Sequence, residues 1–208
     1  MRTTSITLLA GALALALAAC GGEPAAVDEA ATPPAMPAAT EAAGEQAPAA
    51  PDMTTASTAD AIAVLSATEG SAVTGELAFT VVEGGVRIQG QVNGLPPNGE
   101  HGFHVHETGD CSAPDGTSAG GHFNPMATAH GRVGAGEHHV GDTDNIVADD
   151  TGVARVDARL EGATLADGAP GDILGRGVIV HADADDYATQ PTGNAGARLA
   201  CGVITQSM

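Results

Sequence analysis

The 208-residue chain has no lysine and no tryptophan, and only one tyrosine and three phenylalanines. Its seven basic residues are all arginine and face 26 acids, for a net charge of −19. So acidic a chain lacks the basic footprint that phosphate binding needs, which argues against nucleic acid or an anionic membrane surface as a partner. With few aromatics, Ala and Val carry the hydrophobic share, and 29 glycines interrupt it. That mixture suits short strands and turns rather than a Leu-rich helical bundle.

One apolar run follows Arg2, "ITLLAGALALALA", and it is too short to span a bilayer. It closes on "LAAC", Leu17 to Cys20. This resembles the bacterial lipobox, whose cysteine is lipidated and becomes the mature N-terminus. An ordinary secretory signal with a cysteine at its end is the other reading. Gly21, standing where an aspartate would favour inner-membrane retention, implies by the same resemblance a periplasmic protein anchored to the outer membrane. Residues 1–20 are then a lipoprotein signal peptide, and the membrane is met only through the lipid on Cys20. Three cysteines are an odd number for an exported chain; with Cys20 lipidated, Cys111 and Cys201 are the one pair left for an oxidising compartment. Residues 21–60, rich in Ala, Pro, Glu and Thr, bury too little to repay their ordering and are expected to form a disordered tether.

From Ala61 to the end, residues 61–208, the pattern becomes that of a strand-rich domain. "GGVRIQGQV" alternates Val86 and Ile88 with Arg87 and Gln89, and Glu83-Gly84-Gly85 before it signals a hairpin. Further strands fit "AIAVLSAT", "HGFHVHE", "NIVADD", "TGVARVDARL", "GRGVIVHA" and "RLACGVIT", with a turn at Asp149 to Gly152. Two long polar segments, Thr108 to Asp144 and Asp183 to Ala197, read as loops of the kind that carry sites. The expected fold is all-β, a Greek-key sandwich or barrel of immunoglobulin-like type with two functional loops.

All eight histidines fall between positions 101 and 181. His104 and His106, at i and i+2 of one strand, point to the same side and can reach a common metal. His122, His130, His138, His139 and Asp142 follow in the first loop, and His181 ends the apolar strand "GVIV". A lone histidine is more often structural than ligating, but convergence on strand ends and one loop favours a metal site. Imidazoles suit copper or zinc, and a carboxylate such as Asp142 suits zinc.

The blocks "GEHGFHVHETGDC", "SAGGHFNP", "HHVGD", "GVIVHADADDY" and "TGNAGARLACGVI" resemble, in order, the signature blocks of copper–zinc superoxide dismutases. "GGHFNP" and "DDYATQPTGNAG" resemble the bacterial periplasmic branch. The resemblance implies dismutation of superoxide to molecular oxygen and hydrogen peroxide by alternate reduction and oxidation of a histidine-ligated copper. It implies copper at His104, His106, His122 and His181, and zinc at His122, His130, His139 and Asp142, with His122 shared. His139 is preferred to His138 because it immediately precedes "VGD"; His138 is then an exposed neighbour, and His101 a structural residue bonding backbone. Asp185 would join His104 to His130, and Arg198 would dock superoxide beside copper. His122 would pass a proton, and Thr192 would line the substrate channel. Cys111 and Cys201 match the family's disulfide. The resemblance admits a homodimer or a monomer. The rival reading is a non-catalytic periplasmic copper- or zinc-binding protein on the same fold; an open hydrolytic zinc site fits less well, because four ligands fill the zinc position.

Overall fold

The computed structural model describes residues 59–208. The signal segment with Cys20, and the tether as far as residue 58, lie outside the described residues. β1 (Ala61–Ala67), β2 (Thr74–Val82) and β3 (Gly85–Asn93) run antiparallel as a meander, and β7 (Val153–Glu161) pairs with β3. On the other side of β1 come β9 (Arg198–Val203), β8 (Gly177–His181) and β5 (Phe103–His106). β10 (Thr205–Gln206) pairs with the start of β1.

Two short strands join the ends of this curled sheet. β4 (Glu100–His101), just ahead of β5, pairs with β6 (Ile146–Val147), and Ala148 after β6 bridges to Ala154 of β7. The chain leaves β3, crosses to the far edge at β4 and β5, and returns through the long loop to β7 beside β3. This is the Greek-key barrel expected from the strand pattern.

Alternation explains the core. On β1 Ala61, Ala63 and Leu65 are buried while Ile62 and Val64 are exposed. The same period sends Phe79, Ile88, Leu160, Phe103, Val105, Val178 and Val180 into one apolar cluster. The turn after β6 forms because the Asp149 carboxylate accepts hydrogen bonds from the Thr151 and Val153 amides at 2.9 and 3.1 Å.

β5 and β8 depart from simple alternation, since every residue of both is buried. Their inner residues meet the core; the outward ones, His104, His106, Gly177, Ile179 and His181, lie beneath the two loops. Ile179 packs there with Ala119 and Cys201 in a second small cluster. The cover over this face makes the site.

Candidate metal centre

β5 is an edge strand, and the first long loop is stitched onto its free edge. The Val105 amide donates to the Gly141 carbonyl at 2.8 Å, and the Phe123 and Glu107 amides donate to the Val105 and Gly121 carbonyls at 2.9 Å each. These bonds satisfy an otherwise unpaired edge and bring His122 and Asp142 alongside His104 and His106. Residue 141 has to be glycine here, because a Cβ would overlap the Val105 carbonyl oxygen.

Two groups result, each with ligand atoms within 4.8 Å of one another: His104, His106, His122 and His181, and His122, His130, His139 and Asp142. All seven residues are buried, and His122 belongs to both groups.

Hydrogen bonds decide which ring nitrogen of each histidine is free. His104 Nε2–H donates to Asp185 Oδ2 at 2.8 Å, leaving Nδ1. His106 Nδ1–H donates to the Gly120 carbonyl at 2.9 Å, leaving Nε2 3.4 Å from His181 Nε2. His122 Nδ1 sits 2.8 Å from Asp142 Oδ1 and so faces the second group, while its Nε2 is buried without a partner. His130 Nε2–H donates to Asp185 Oδ1 at 3.0 Å, and its Nδ1 lies 3.0 Å from Asp142 Oδ2 but outside hydrogen-bond alignment.

Within the two groups, His104 Nδ1, His122 Nε2, His130 Nδ1 and His139 Nδ1 are thus buried polar atoms with no hydrogen-bond partner; His101 Nε2, outside both groups, is a fifth. Such atoms are rare in proteins, and a cation is the partner that answers all four. The donor sets fit copper at the four imidazoles and zinc at the three imidazoles plus carboxylate.

The electrostatics agree with ligation. Burial pushes the His104 pKa down to about 4 against the pull of Asp185, and that of His181 down to about 3. Burial likewise holds His106 well below the ordinary imidazole range. These three rings are therefore neutral at neutral pH, the form that ligates. Burial opposes ionisation of Asp142, but the hydrogen bond from His122 and the close His130 ring outweigh it and hold the carboxyl well below its usual range. His130 is the exception: burial would lower it, yet the adjacent Asp142 and Asp185 carboxylates together raise it to about 9. A cation arriving at its Nδ1 has to displace a proton.

Asp185 spans both groups, one oxygen on His104 and one on His130. Gly193 lies directly over this bridge at φ +66°, and a Cβ there would overlap Asp185 Oδ1 and come within 2.7 Å of His130 Nε2. Gly193→Ala is accordingly expected to lower zinc affinity about 10–100-fold, the usual cost of disturbing a residue that orients a metal-binding histidine. Chelator competition would measure it, and an affinity equal to wild type would refute the argument.

The remaining site residues lie as follows. Arg198 is half-buried, its two terminal nitrogens donating to the Gly116 and Gly120 carbonyls at 2.6 Å each. The Gly120 carbonyl also receives His106 Nδ1–H, so the guanidinium and a copper-group ring are fixed to one atom. Thr192 is half-buried beside Gly193 in the second loop. Cys111 and Cys201 form a disulfide with Cα atoms 5.7 Å apart. His101 lies in neither group, and its Nδ1–H donates to the His181 carbonyl at 2.9 Å.

One expectation is corrected. His138 belongs to neither group, but it is not exposed: its side chain is only 14% accessible. Its ring folds back so that Nδ1–H donates to the His139 carbonyl at 2.8 Å, with Nε2 3.6 Å from Glu161 at the end of β7. Asn145 and Gln190, which the sequence reading passed over, also hold the site. Asn145 pairs with both main-chain groups of Asp185, and Gln190 with both of His130. Nothing in a loop amide's residue type marks it for such a role.

A family model described as copper/zinc superoxide dismutase matches residues 73–204. The chain is 42% identical over 140 residues to superoxide dismutase [Cu-Zn] 2 of Aquifex aeolicus (strain VF5), covering 66% of this chain and 81% of the relative. It is 44% identical over 156 residues to the superoxide dismutase [Cu-Zn] of Paramecium bursaria Chlorella virus 1, covering 69% and 76%. Among solved structures, a point mutant of a SOD-like protein from Bacillus subtilis matches with TM-score 0.64 and 38% identity over 69% of this chain and 97% of that one. The clock protein EA4 matches with TM-score 0.63 and 46% identity over 71% and 94%.

Proposed function

We infer, from the premise that this chain belongs to the copper/zinc superoxide dismutase family, that it converts two superoxide anions and two protons into molecular oxygen and hydrogen peroxide. The observation that carries this reading is His122, one buried ring whose two nitrogens face different ligand groups. A metal carrier needs no ring common to two sites.

Copper held by His104, His106, His122 and His181 supplies the one-electron exchange with superoxide, and zinc held by His122, His130, His139 and Asp142 supports the shared ring. Arg198 brings the anion to the copper group. Two of its donors are spent on the Gly116 and Gly120 carbonyls, which fixes the fork while its other N–H groups stay available to a small anion. Thr192 lines the approach on the opposite loop. His122 Nε2, which no protein group claims, would hold a proton for the reduced product whenever copper does not occupy it. Asp185 keeps His104 and His130 turned so that each presents Nδ1. The purified chain is expected to hold one copper and one zinc and to consume superoxide. A fully metallated but inactive chain would favour the non-catalytic carrier.

The compartment is part of the same proposal. The lipobox-like "LAAC" ending at Cys20 and the Cys111–Cys201 disulfide support a periplasmic lipoprotein anchored in the outer membrane. Cys20→Ser should move the protein from the membrane fraction to the soluble periplasm; unaltered membrane partition would exclude the anchor.

A further inference from the structure

Much of the site's cover has no regular secondary structure, so its main-chain hydrogen bonds need partners from elsewhere. Side-chain amides supply several of them, each meeting both the N–H and the C=O of one residue. Asn124 accepts from the Thr128 amide at 3.1 Å and donates to the Thr128 carbonyl at 2.9 Å. Asn145 accepts from the Asp185 amide and donates to the Asp185 carbonyl, both at 2.9 Å. Gln190 accepts from the His130 amide at 2.9 Å and donates to the His130 carbonyl at 2.8 Å, with a longer 3.4 Å approach to the Ala188 carbonyl.

The Gln190 pair differs from the others in what it joins. Residue 190 is exposed on the second loop, and His130 is buried on the first. The amide imitates a neighbouring strand for a single residue, and that residue is a zinc-group ligand. With Asn145 gripping Asp185, both partners of the Asp185–His130 hydrogen bond have their main chains clamped. His130 then has little freedom to turn its Nδ1 away from Asp142.

We propose that Gln190 is a positioning residue for zinc: its side-chain amide locks the main chain of His130 from the opposite loop and so presets the zinc site. This rests on the reading of His130 as a zinc ligand. Gln190 touches no metal and acts only through the ligand it holds. Losing the clamp should cost zinc affinity on the scale of other supports behind metal ligands, about tenfold or more. The copper group, whose His106 and His104 rings are held by the Gly120 carbonyl and Asp185, should keep its affinity.

The test is zinc binding to the full chain by chelator competition, with cobalt(II) at the zinc site as a spectroscopic probe. Gln190→Ala is expected to weaken zinc about tenfold and to shift the cobalt ligand-field bands. Gln190→Glu sets a carboxylate against the His130 carbonyl and should behave like the alanine variant. Thr189→Ala is the control, because Thr189 Oγ donates only to Asp186 Oδ2, within the same loop. It should bind zinc as wild type does. Gln190→Ala within threefold of wild type, or Thr189→Ala weakening zinc equally, would overturn the proposal. A wild-type chain that binds no zinc would instead remove the metal assignment beneath it.

Discussion

His122→Ala is expected to reduce superoxide consumption by more than about 100-fold, since even residues that merely support a metal ligand are worth about 10–100-fold. His122 stands in both ligand groups, so its loss leaves three donors in each. It also removes the buried Nε2 assigned to proton transfer. The fold should persist, because Phe123, which carries this segment's apolar contact with the core, is untouched, as are the bonds from the loop to β5. The variant should therefore keep its β circular-dichroism spectrum while losing activity and metal retention. Wild-type turnover in a folded His122→Ala protein would sink the assignment of a shared ligand.

The second large effect concerns stability. Opening the Cys111–Cys201 bridge frees a loop spanning 90 residues, which the chain-entropy model values at about 4–5 kcal/mol. For a chain of this size that corresponds to a fall in Tm of roughly 10–20 °C. The double variant Cys111→Ala, Cys201→Ala measures the effect without adding a buried hydroxyl beside Ile179 and Ala119. Activity should fall as well. Cys111 ties down the segment whose Gly116 and Gly120 carbonyls hold Arg198. A Tm within a few degrees of wild type would show that the covering loop is held mainly by its bonds to β5.

Much of this was legible from local pattern. Strand alternation identified the core because a period of two is a property of the backbone itself. His104 and His106 could be paired from their i, i+2 spacing for the same reason. The resemblance assembled the two donor sets, and the structure brings those residues together. Other features had no local signal. The "VGD" after His139 chose between the two neighbouring histidines, but only the fold shows His138 turned toward Glu161 rather than to solvent. Gly193 reads as a turn residue until Asp185 is found beneath it. Gln190 reads as one more polar residue of its loop until His130, 60 residues away in sequence, is found against it.

By itself, the amino-acid sequence determined the barrel, the two loops and the residue types able to hold copper and zinc. Those depend on backbone periodicity, turn chemistry and donor identity, which each residue carries wherever it is placed. The tertiary structure alone decided which nitrogen of each histidine is free for a metal. An imidazole offers either nitrogen until a hydrogen bond claims one. The groups that claim them are Asp185 and the Gly120 carbonyl, and packing brings them from other parts of the chain.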